Sequence, residues 1–460
     1  MLIKAYTLPH PPLAIPEVGK GKEKKISKTL DALDEVGKEI KSIAPETIIF
    51  ITPHSTVYSD YFHISPGSKA SGDFSRFGVP NVKIETNYDE ELAEDISKMG
   101  ETLDLPVGIQ GEQDKTLDHA TMVPMYFINK YYSSYKSLRI SQSGLSESDH
   151  YLLGMVIDKA VKVRNRKTVI IASSDLSHRL SKDGPYGFNK DGPEFDRLVE
   201  LYLSNADFLS LMNLPSGIRR GAGECGYNSL MVLIGCLDKQ KVMPKLLSYE
   251  APFGVGYAVA SFEAIGNDEN RNILQKHVEH MSKLVEATRN IEDDYQKLAR
   301  QSLERKIMTG EIMSVTNELP QEMIDKRAGV FVSIHKDGAL RGCIGTIAPT
   351  KKCIAEEIIC NAISSGSSDF RFSPVTAHEL PLLTYKVDVL SPPEPIVDRS
   401  ELDVKRYGVI VTSGSKRGLL LPNLDGVDTV DDQINIASGK AGILNMDKIS
   451  LERFEVVRHG

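Results

Sequence analysis

The sequence predicts an α/β fold: an N-terminal, mostly parallel sheet with helices on both faces, followed by a C-terminal α+β domain. Two observations predict the first part, namely short continuously apolar segments and amphipathic helical segments between them. The strand candidates are Leu2–Thr7, Thr47–Thr52, Val107–Gln110, Leu138–Gln142, Thr168–Ser173 and Tyr257–Ile265. The helix candidates are Lys24–Ile43, Glu90–Met99, His150–Val163 and Phe195–Leu203.

Length and composition indicate a multidomain globular protein. The chain has 460 residues, of which 41% are hydrophobic and 26% charged, with a net charge of -8. A chain of this length exceeds the usual size of one hydrophobic core. The negative charge argues against sequence-independent binding to nucleic acid, which needs a concentrated basic surface.

The same sequence carries no sign of a membrane or secreted protein. No apolar run approaches the roughly 18 residues of a membrane span. The segment MLIKAYTLPHPP lacks the basic and apolar regions of a secretory signal. Five cysteines include no CxxC pair, which argues against a disulfide framework and a structural zinc site. We therefore expect a cytoplasmic protein with no membrane partner.

A change in composition after Gly266 marks the predicted domain boundary. We expect a first domain over 1–266, a charged helical linker over 267–292, and a second domain over 293–460. The second domain begins with an amphipathic helix over 293–308. It continues with strand candidates Val330–His335, Tyr385–Leu390 and Gly408–Thr412, and with helix candidates Cys353–Ser364 and Val430–Ala441.

Histidines mark the candidate site of the first domain. His10, His54 and His178 each follow a predicted strand, and His119 precedes a predicted helix. Ligands of open α/β sheets gather beyond the carboxyl ends of the strands, so the first three histidines are expected to converge. A single histidine at the end of a strand is more often a turn or cap residue than a functional one. Three such histidines at the same edge of a sheet indicate a functional site.

Two imidazoles usually need a carboxylate to hold a divalent metal, and two histidines plus one carboxylate are the arrangement of non-haem Fe(II) oxygenases. Glu224, in the glycine-rich string GAGECG, is the best candidate for the third ligand. A solvated loop glutamate is the alternative. Cys225 follows directly, and its thiolate is an equally able ligand that favours softer metals.

These strings resemble the catalytic-subunit family of class III extradiol dioxygenases, protocatechuate type. The resemblance rests on LPHPPLAIPEVG, TPHS, LDHATMVPM, SSDLSHRL and GECGYNSLMVLIG, in matching order over nearly all of 1–266. It implies that His10, His54 and Glu224 are metal ligands. It further implies that His178 is the catalytic acid/base and that His119 is a second active-site histidine.

The Memo proteins resemble the same family but have a cysteine as third ligand, which Cys225 would match. The resemblance therefore implies Fe(II) as the cofactor, with copper or zinc as alternatives. Asp175, three residues before His178, is expected to orient that loop or to cap a turn. The function implied is an oxygenase acting on O₂ and a catechol or related small aromatic. The alternative is a Memo-like metal-binding redox or peptide-binding protein without ring cleavage.

The second domain carries weaker signals. Lys336-Asp337-Gly338 between apolar runs predicts a hairpin. Cys343 is most simply a small buried residue, with a nucleophile as the alternative. Arg341 and Arg371 could form an anion pocket, and surface ion pairs are the equal alternative.

The strings RGCIGT, SSDFRF, GLLLP and GKAGI resemble the AMMECR domain, from about Asp293 onward. A serine-aspartate-phenylalanine string departs from that family, whose members more often have proline after the aspartate. Dioxygenase-like or Memo, AMMECR and radical SAM proteins recur together in the AmmeMemoRadiSam system. The combined resemblance implies a radical SAM protein as partner, and we expect a homo-oligomer.

Overall fold

The structure is a computed structural model that describes residues 1–336, 338–424, 426–443 and 449–460. It consists of two compact units, Met1–Val278 and Glu279–Gly460. The first unit therefore extends beyond Gly266, and the division falls inside a helix that spans Ile273–Asn290. The predicted Asp337-Gly338 hairpin turn includes Asp337, which lies outside the described residues.

The first unit alternates strands and helices. Its strands are β1 Leu2–Leu8, β2 Thr47–Thr52, β3 Phe62–His63, β4 Lys69–Phe74, β5 Val79–Asn87, β6 Val107–Gly108, β7 Lys136–Ser141, β8 Thr168–Ser173, β9 Gln240–Glu250 and β10 Tyr257–Asn267. Its helices are α1 Pro16–Gly19, α2 Ser27–Ile43, α3 Glu90–Glu101, α4 His119–Asn129, α5 Glu147–Arg164, α6 Asp191–Asn205, α7 Phe208–Met212, α8 Ser216–Ala222 and α9 Tyr227–Cys236. The helix Ile273–Asn290, α10, follows.

The main sheet has the strand order β7-β2-β8-β1-β10-β9. The pairs from β7 to β1 are parallel, and β10 and β9 are added antiparallel at one side. The parallel strands are continuously apolar because alternate residues enter two separate cores. Ile49 and Ile51 of β2 pack with Ala5 on one face, whereas Ile48 and Phe50 pack on the other. The predicted two-faced, mostly parallel sheet is confirmed.

Several strands of the first unit differ from the sequence prediction, and β3, β4 and β5 have no counterpart among the predicted strands. The segment predicted as a strand at Val107–Gln110 is only Val107–Gly108, and it pairs with β3 in a separate small sheet. Strand β9 was not predicted either, because it is an edge strand of mixed composition that contains Pro244, Gln240, Lys241 and Lys245. Edge strands tolerate proline and charge, and both weaken the sequence signal.

Helices α5 and α9 pack backbone against backbone at two glycines. A Cβ atom on Gly154 would overlap the carbonyl oxygen of Val232, and one on Gly235 would overlap the carbonyl oxygen of Tyr151. This crossing fixes α9, whose N-terminus directly follows the Glu224-Cys225 pair. The glycines thereby help to place that pair at the sheet edge.

A buried aspartate ties α6 to the sheet. Asp196 is only 2% exposed, and its carboxylate accepts hydrogen bonds from the Ser177 backbone N–H at 2.8 Å and the Tyr249 hydroxyl at 2.7 Å. Burial raises the pKa of Asp196 to about 7. The Ser177 bond thus anchors the loop that carries His178 to Asp196, a carboxyl group whose ionised form is disfavoured by burial.

The second unit combines helices with two four-stranded sheets. Its helices after α10 are α11 Asp294–Thr309, α12 Gln321–Asp325, α13 Ile354–Ser367 and α14 Val430–Lys440. Its strands are β11 Gly329–Lys336, β12 Ala339–Gly345, β13 Leu383–Leu390, β14 Glu394–Ile396, β15 Gly408–Ser413, β16 Lys416–Leu420, β17 Ser450–Phe454 and β18 Val456–His459. The sheet orders are β12-β11-β13-β18 and β14-β17-β15-β16, with antiparallel pairs throughout. This arrangement confirms the predicted α+β class.

Within the part of the chain that the structure describes, none of the helices has the length and apolar character needed to cross a bilayer.

The glycine crossing gives a stability prediction. Gly154→Ala should lower the free energy of unfolding by about 1–3 kcal/mol, because the added methyl group forces two packed backbones apart. Gly217→Ala is the matched control, since Gly217 is helical and has no atom within 4 Å of the added Cβ. The control should be neutral or slightly stabilising. Urea unfolding measures both, and equal stabilities for the two variants would contradict the crossing.

Asp196 gives a pH prediction for the metal-free protein. Its folded-state pKa of about 7 exceeds the unfolded value of roughly 4, so the folded state binds more protons between these values. The stability contribution is complete below about pH 4 and is lost as the pH rises through about 7. Asp196→Asn should therefore show a shallower fall in the free energy of unfolding over this range. An unchanged pH profile in this variant would refute the assignment.

Candidate metal centre

The carboxyl ends of the four parallel strands meet around one group of side chains. His10 follows β1, His54 follows β2, and His178 follows β8. Gln142 follows β7, and its side-chain amide donates to the Cys225 carbonyl oxygen at 2.9 Å. Parallel pairing places all four strand ends at one edge, so residues far apart in sequence become neighbours.

Among the residues that the structure describes, three histidines form a group of potential metal ligands. Ligand atoms of His10, His54 and His119 all lie within 4.8 Å of one another. The His54 and His119 rings are stacked with centroids 4.6 Å apart, and the His10 ring stands edge-on to His54 at 5.0 Å. Neutral imidazoles at this spacing are suited to share one transition-metal ion.

The hydrogen bonds of His10 orient its ring towards this group. Nδ1 of His10 lies 2.9 Å from the Ser173 hydroxyl oxygen, and that hydroxyl donates to the Ala120 carbonyl oxygen at 2.6 Å. Because the Ser173 proton is used there, Nδ1 is the donor in the first bond. The lone pair of His10 is therefore on Nε2, the arrangement usual for metal-ligating histidine.

All four histidines at this edge are held neutral. Burial, followed by the charges of His54, His119 and His178, lowers the pKa of His10 well below its ordinary value. Desolvation lowers the pKa of His54, and desolvation with the charge of His54 lowers the pKa of His119 to about 4. Desolvation also lowers the pKa of His178. Neutral imidazole is the protonation state that binds metal.

Asp175 and His178 lie on the loop after β8. The Asp175 carboxylate accepts from the His10 backbone N–H at 2.8 Å, and its other oxygen is 3.8 Å from His10 Nε2. Burial raises the pKa of Asp175 to about 7. The His178 ring is stacked on Tyr186 with centroids 5.0 Å apart. Asp175 thus contacts His10 directly, while its expected role in orienting the loop stays a prediction.

Glu224 and Cys225 occupy different positions. The Glu224 carboxylate accepts from the Tyr227 backbone N–H at 2.6 Å, at the start of α9, and burial raises its pKa to about 7. The Cys225 sulfur lies 3.5 Å from His10 Nε2. Burial raises the pKa of the Cys225 thiol well above its ordinary value. Neither residue belongs to the three-histidine group, but the sulfur faces one of its ligand atoms.

A cavity of about 820 Å³ opens beside the histidines. His54 and His119 form part of its wall, and Phe77 stands edge-on to His119 with centroids 5.5 Å apart. The Ser55 hydroxyl oxygen, also in the wall, is buried and has no hydrogen-bond partner among the described residues. The volume lies within the usual range of small-molecule sites.

The candidate residues of the second unit are paired within it. Arg341 makes two hydrogen bonds to Glu379, at 2.9 and 3.0 Å, and Arg371 makes two to Asp369, at 2.9 and 2.6 Å. The Cys343 sulfur accepts from Ser333 at 3.2 Å, and burial raises the pKa of Cys343. The contacts show ion pairs for both arginines, which were the alternative to an anion pocket. For Cys343, a nucleophilic role stays the untested alternative.

The sequence pointed to His10, His54, His119, His178 and Asp175, which the structure brings together at one edge. It did not indicate Ser173, Gln142 or Phe77. Strand-end serine and glutamine are too common to carry a signal. The Phe77 ring contacts His119 because the β4–β5 hairpin carries it there, and sequence spacing cannot show such a long-range contact.

Comparisons with known proteins agree with this description. Residues 4–260 match the family described as the catalytic LigB subunit of aromatic ring-opening dioxygenase, and residues 296–459 match the AMMECR1 family. A Clostridium acetobutylicum protein is 44% identical over 463 residues, covering 99% of this chain and 98% of that protein. A Thermotoga maritima protein is 49% identical over 170 residues, covering 36% of this chain and 98% of that protein.

Two solved structures of uncharacterized proteins are also similar. One from Pyrococcus horikoshii is 30% identical, with a TM-score of 0.33, and covers 36% of this chain and 88% of that one. One from Escherichia coli is 12% identical, with a TM-score of 0.37, and covers 57% of this chain and 100% of that one. By its match over residues 4–260, the chain belongs to the family of LigB catalytic subunits of aromatic ring-opening dioxygenases, with an AMMECR1 domain at its C-terminal side.

Proposed function

We propose that the first unit is a non-haem Fe(II)-dependent oxygenase of the extradiol type, acting on a catechol or related small aromatic. The observation that carries this proposal is the three-histidine group at the carboxyl edge of the parallel strands. A bound Fe(II) ion would supply the redox chemistry by which dioxygen reacts with an aromatic ring.

The donor set fits such an ion. His10 and His54 are the proposed ligands, and His119 lies close enough either to join them or to contact the substrate. Burial raises the pKa values of the Asp175 and Glu224 carboxyl groups to about 7, although the charge of Arg219 acts in the opposite direction on Glu224. A divalent cation would favour the ionised carboxylates.

His178 is the proposed acid/base. It is neutral at physiological pH because desolvation lowers its pKa, so it can accept a phenolic proton from a substrate bound at the metal site. Tyr186 stacks on its ring and limits its rotation. Its loop is fixed by the Ser177 N–H bond to Asp196.

One observation favours a second function. The Cys225 sulfur lies 3.5 Å from His10 Nε2, whereas the Glu224 carboxylate is bonded to the Tyr227 N–H. A histidine and cysteine donor set suits softer ions such as copper or zinc. The second candidate is therefore a Memo-like metal-binding protein without ring cleavage. The radical SAM partner and the homo-oligomer stay predictions from the resemblance.

Metal binding tests the site itself. His10→Ala and His54→Ala should each lower the affinity for Fe(II) at least about ten-fold, because loss of a ligand should exceed the loss of a supporting hydrogen bond. Anaerobic metal analysis and competition with a chelator measure the affinity. His280→Ala is the matched control, since His280 lies on α10 and outside the group. Equal metal contents in all variants would refute the site.

The identity of the third metal ligand distinguishes the oxygenase from the Memo-like function. If Glu224 is the ligand, Glu224→Gln should lose most metal and Cys225→Ser should keep it. The reverse outcome transfers the role to the thiolate and favours the Memo-like function. Oxygen uptake on a panel of catechols, measured with Fe(II)-loaded protein, completes the test. Full metal loading without uptake on any catechol would overturn the oxygenase proposal.

His178 separates binding from turnover. Since it is proposed as a proton carrier and not as a ligand, His178→Ala should keep the metal content and lower turnover by roughly 10² to 10⁴. His178→Gln, which keeps a hydrogen-bonding group, should also be slow because glutamine does not titrate. Loss of metal in either variant would contradict this role.

A further inference from the structure

One buried aspartate contacts the supports of two histidines in the group. The Asp118 side chain is 8% exposed. One carboxylate oxygen accepts from the Thr52 hydroxyl at 2.7 Å and from the Thr121 backbone N–H at 3.0 Å. The other oxygen accepts from the Thr121 hydroxyl at 2.9 Å. These bonds connect the end of β2 with the start of α4.

Each of these two elements carries a histidine. The Thr52 hydroxyl oxygen accepts from the His54 backbone N–H at 3.2 Å, so Asp118 holds His54 through one intermediate group. Helix α4 begins at His119, and Asp118 is its N-cap. A capping carboxylate fixes the direction of the first helical turn. The relative placement of His54 and His119, with rings 4.6 Å apart, therefore depends on one carboxylate.

Arg139 supports this carboxylate from inside the fold. It is 1% exposed, and its Nη1 atom lies 3.6 Å from Asp118. Its guanidinium donates to the Ser65 hydroxyl at 2.7 Å and to the carbonyl oxygens of Thr116 and Asp114 at 2.6 and 3.2 Å. The segment that contains these carbonyls forms part of the cavity wall. The buried pair thus links the histidines to the wall of the adjoining cavity.

We propose that Asp118 is the positioning residue that sets the separation of His54 and His119 for metal binding. The inference rests on the proposed metal site, in which His54 is a ligand and His119 lies beside it. It assigns no metal contact to Asp118, whose oxygens are used by Thr52, Thr121 and Arg139. Supporting groups of this kind usually change metal affinity by about 10- to 100-fold.

The chain contains a matched control at the other end of β2. Asp89 is the N-cap of α3, accepts from the Thr47 hydroxyl at 2.6 Å and is bonded to Arg166 at 2.6 Å. It therefore repeats the capping, threonine and arginine contacts of Asp118. Thr47 begins β2, whereas Thr52 ends it beside His54. Loss of either aspartate should lower stability, but only one adjoins the histidines.

The test compares Asp118→Asn with Asp89→Asn in the full-length protein. Asparagine keeps the size of each side chain and removes its charge. Co²⁺ is the probe, because its visible absorption reports ligand geometry and its titration gives affinity. A second pair, Thr52→Val and Thr47→Val, removes one hydroxyl at each end of β2. Both threonines are fully buried, so the two substitutions are made in equally buried positions. Because each removes one hydrogen bond to an aspartate and keeps the carboxylate, this pair serves as the test if an aspartate variant does not fold.

We expect the Asp118 and Thr52 variants to bind Co²⁺ about 10- to 100-fold more weakly and with a changed absorption spectrum. The Asp89 and Thr47 variants should keep the wild-type affinity and spectrum even where their Tm falls. Unchanged affinity in the folded Asp118 and Thr52 variants would overturn the inference, as would equal losses at both ends of β2. Absence of Co²⁺ binding by the wild-type protein would instead overturn the proposed metal site.

Discussion

Parallel pairing of four neighbouring strands is the constraint on which the candidate site depends. Because β7, β2, β8 and β1 run in one direction, their carboxyl ends deliver Gln142, His54, His178 and His10 to one edge. A register shift of one residue in β2 would exchange Ile49 and Phe50 between the two cores. The packing of both faces therefore fixes the register of the strands. The register in turn fixes the positions of the histidines that follow the strand ends.

Solvation then determines the chemistry available at this edge. Burial disfavours protonation of these imidazoles, and the neighbouring imidazoles add to this effect, so His10 and His119 are neutral. The nearby carboxyl groups of Asp175 and Glu224 are buried with raised pKa values. Neutral imidazoles can donate lone pairs to a divalent cation, and the cation would stabilise the ionised form of the buried carboxyl groups. This is the physical basis of the proposed function.

The second unit illustrates the opposite case. Arg341 and Arg371 have carboxylate partners inside the same unit, and their hydrogen bonds lower the pKa values of Glu379 and Asp369. For Glu379 the lowered pKa is about 2. Bidentate pairs of this kind hold a loop against a strand and leave less charge for an external anion. The similarity to the AMMECR1 family over residues 296–459 identifies the domain without identifying an activity.

The sequence by itself determined the fold class, most strands of the main sheet and the histidines, because apolar periodicity and strand-end motifs are local signals. Residues such as His10 and His54 could be predicted for this reason. The sequence could not decide whether Glu224 or Cys225 is the third metal ligand, because the two residues are adjacent in the chain. Only the tertiary structure brought the Cys225 sulfur to His10 and joined Thr52, Asp118 and Arg139 in one buried network. Such contacts arise from packing between distant segments, which no local pattern specifies.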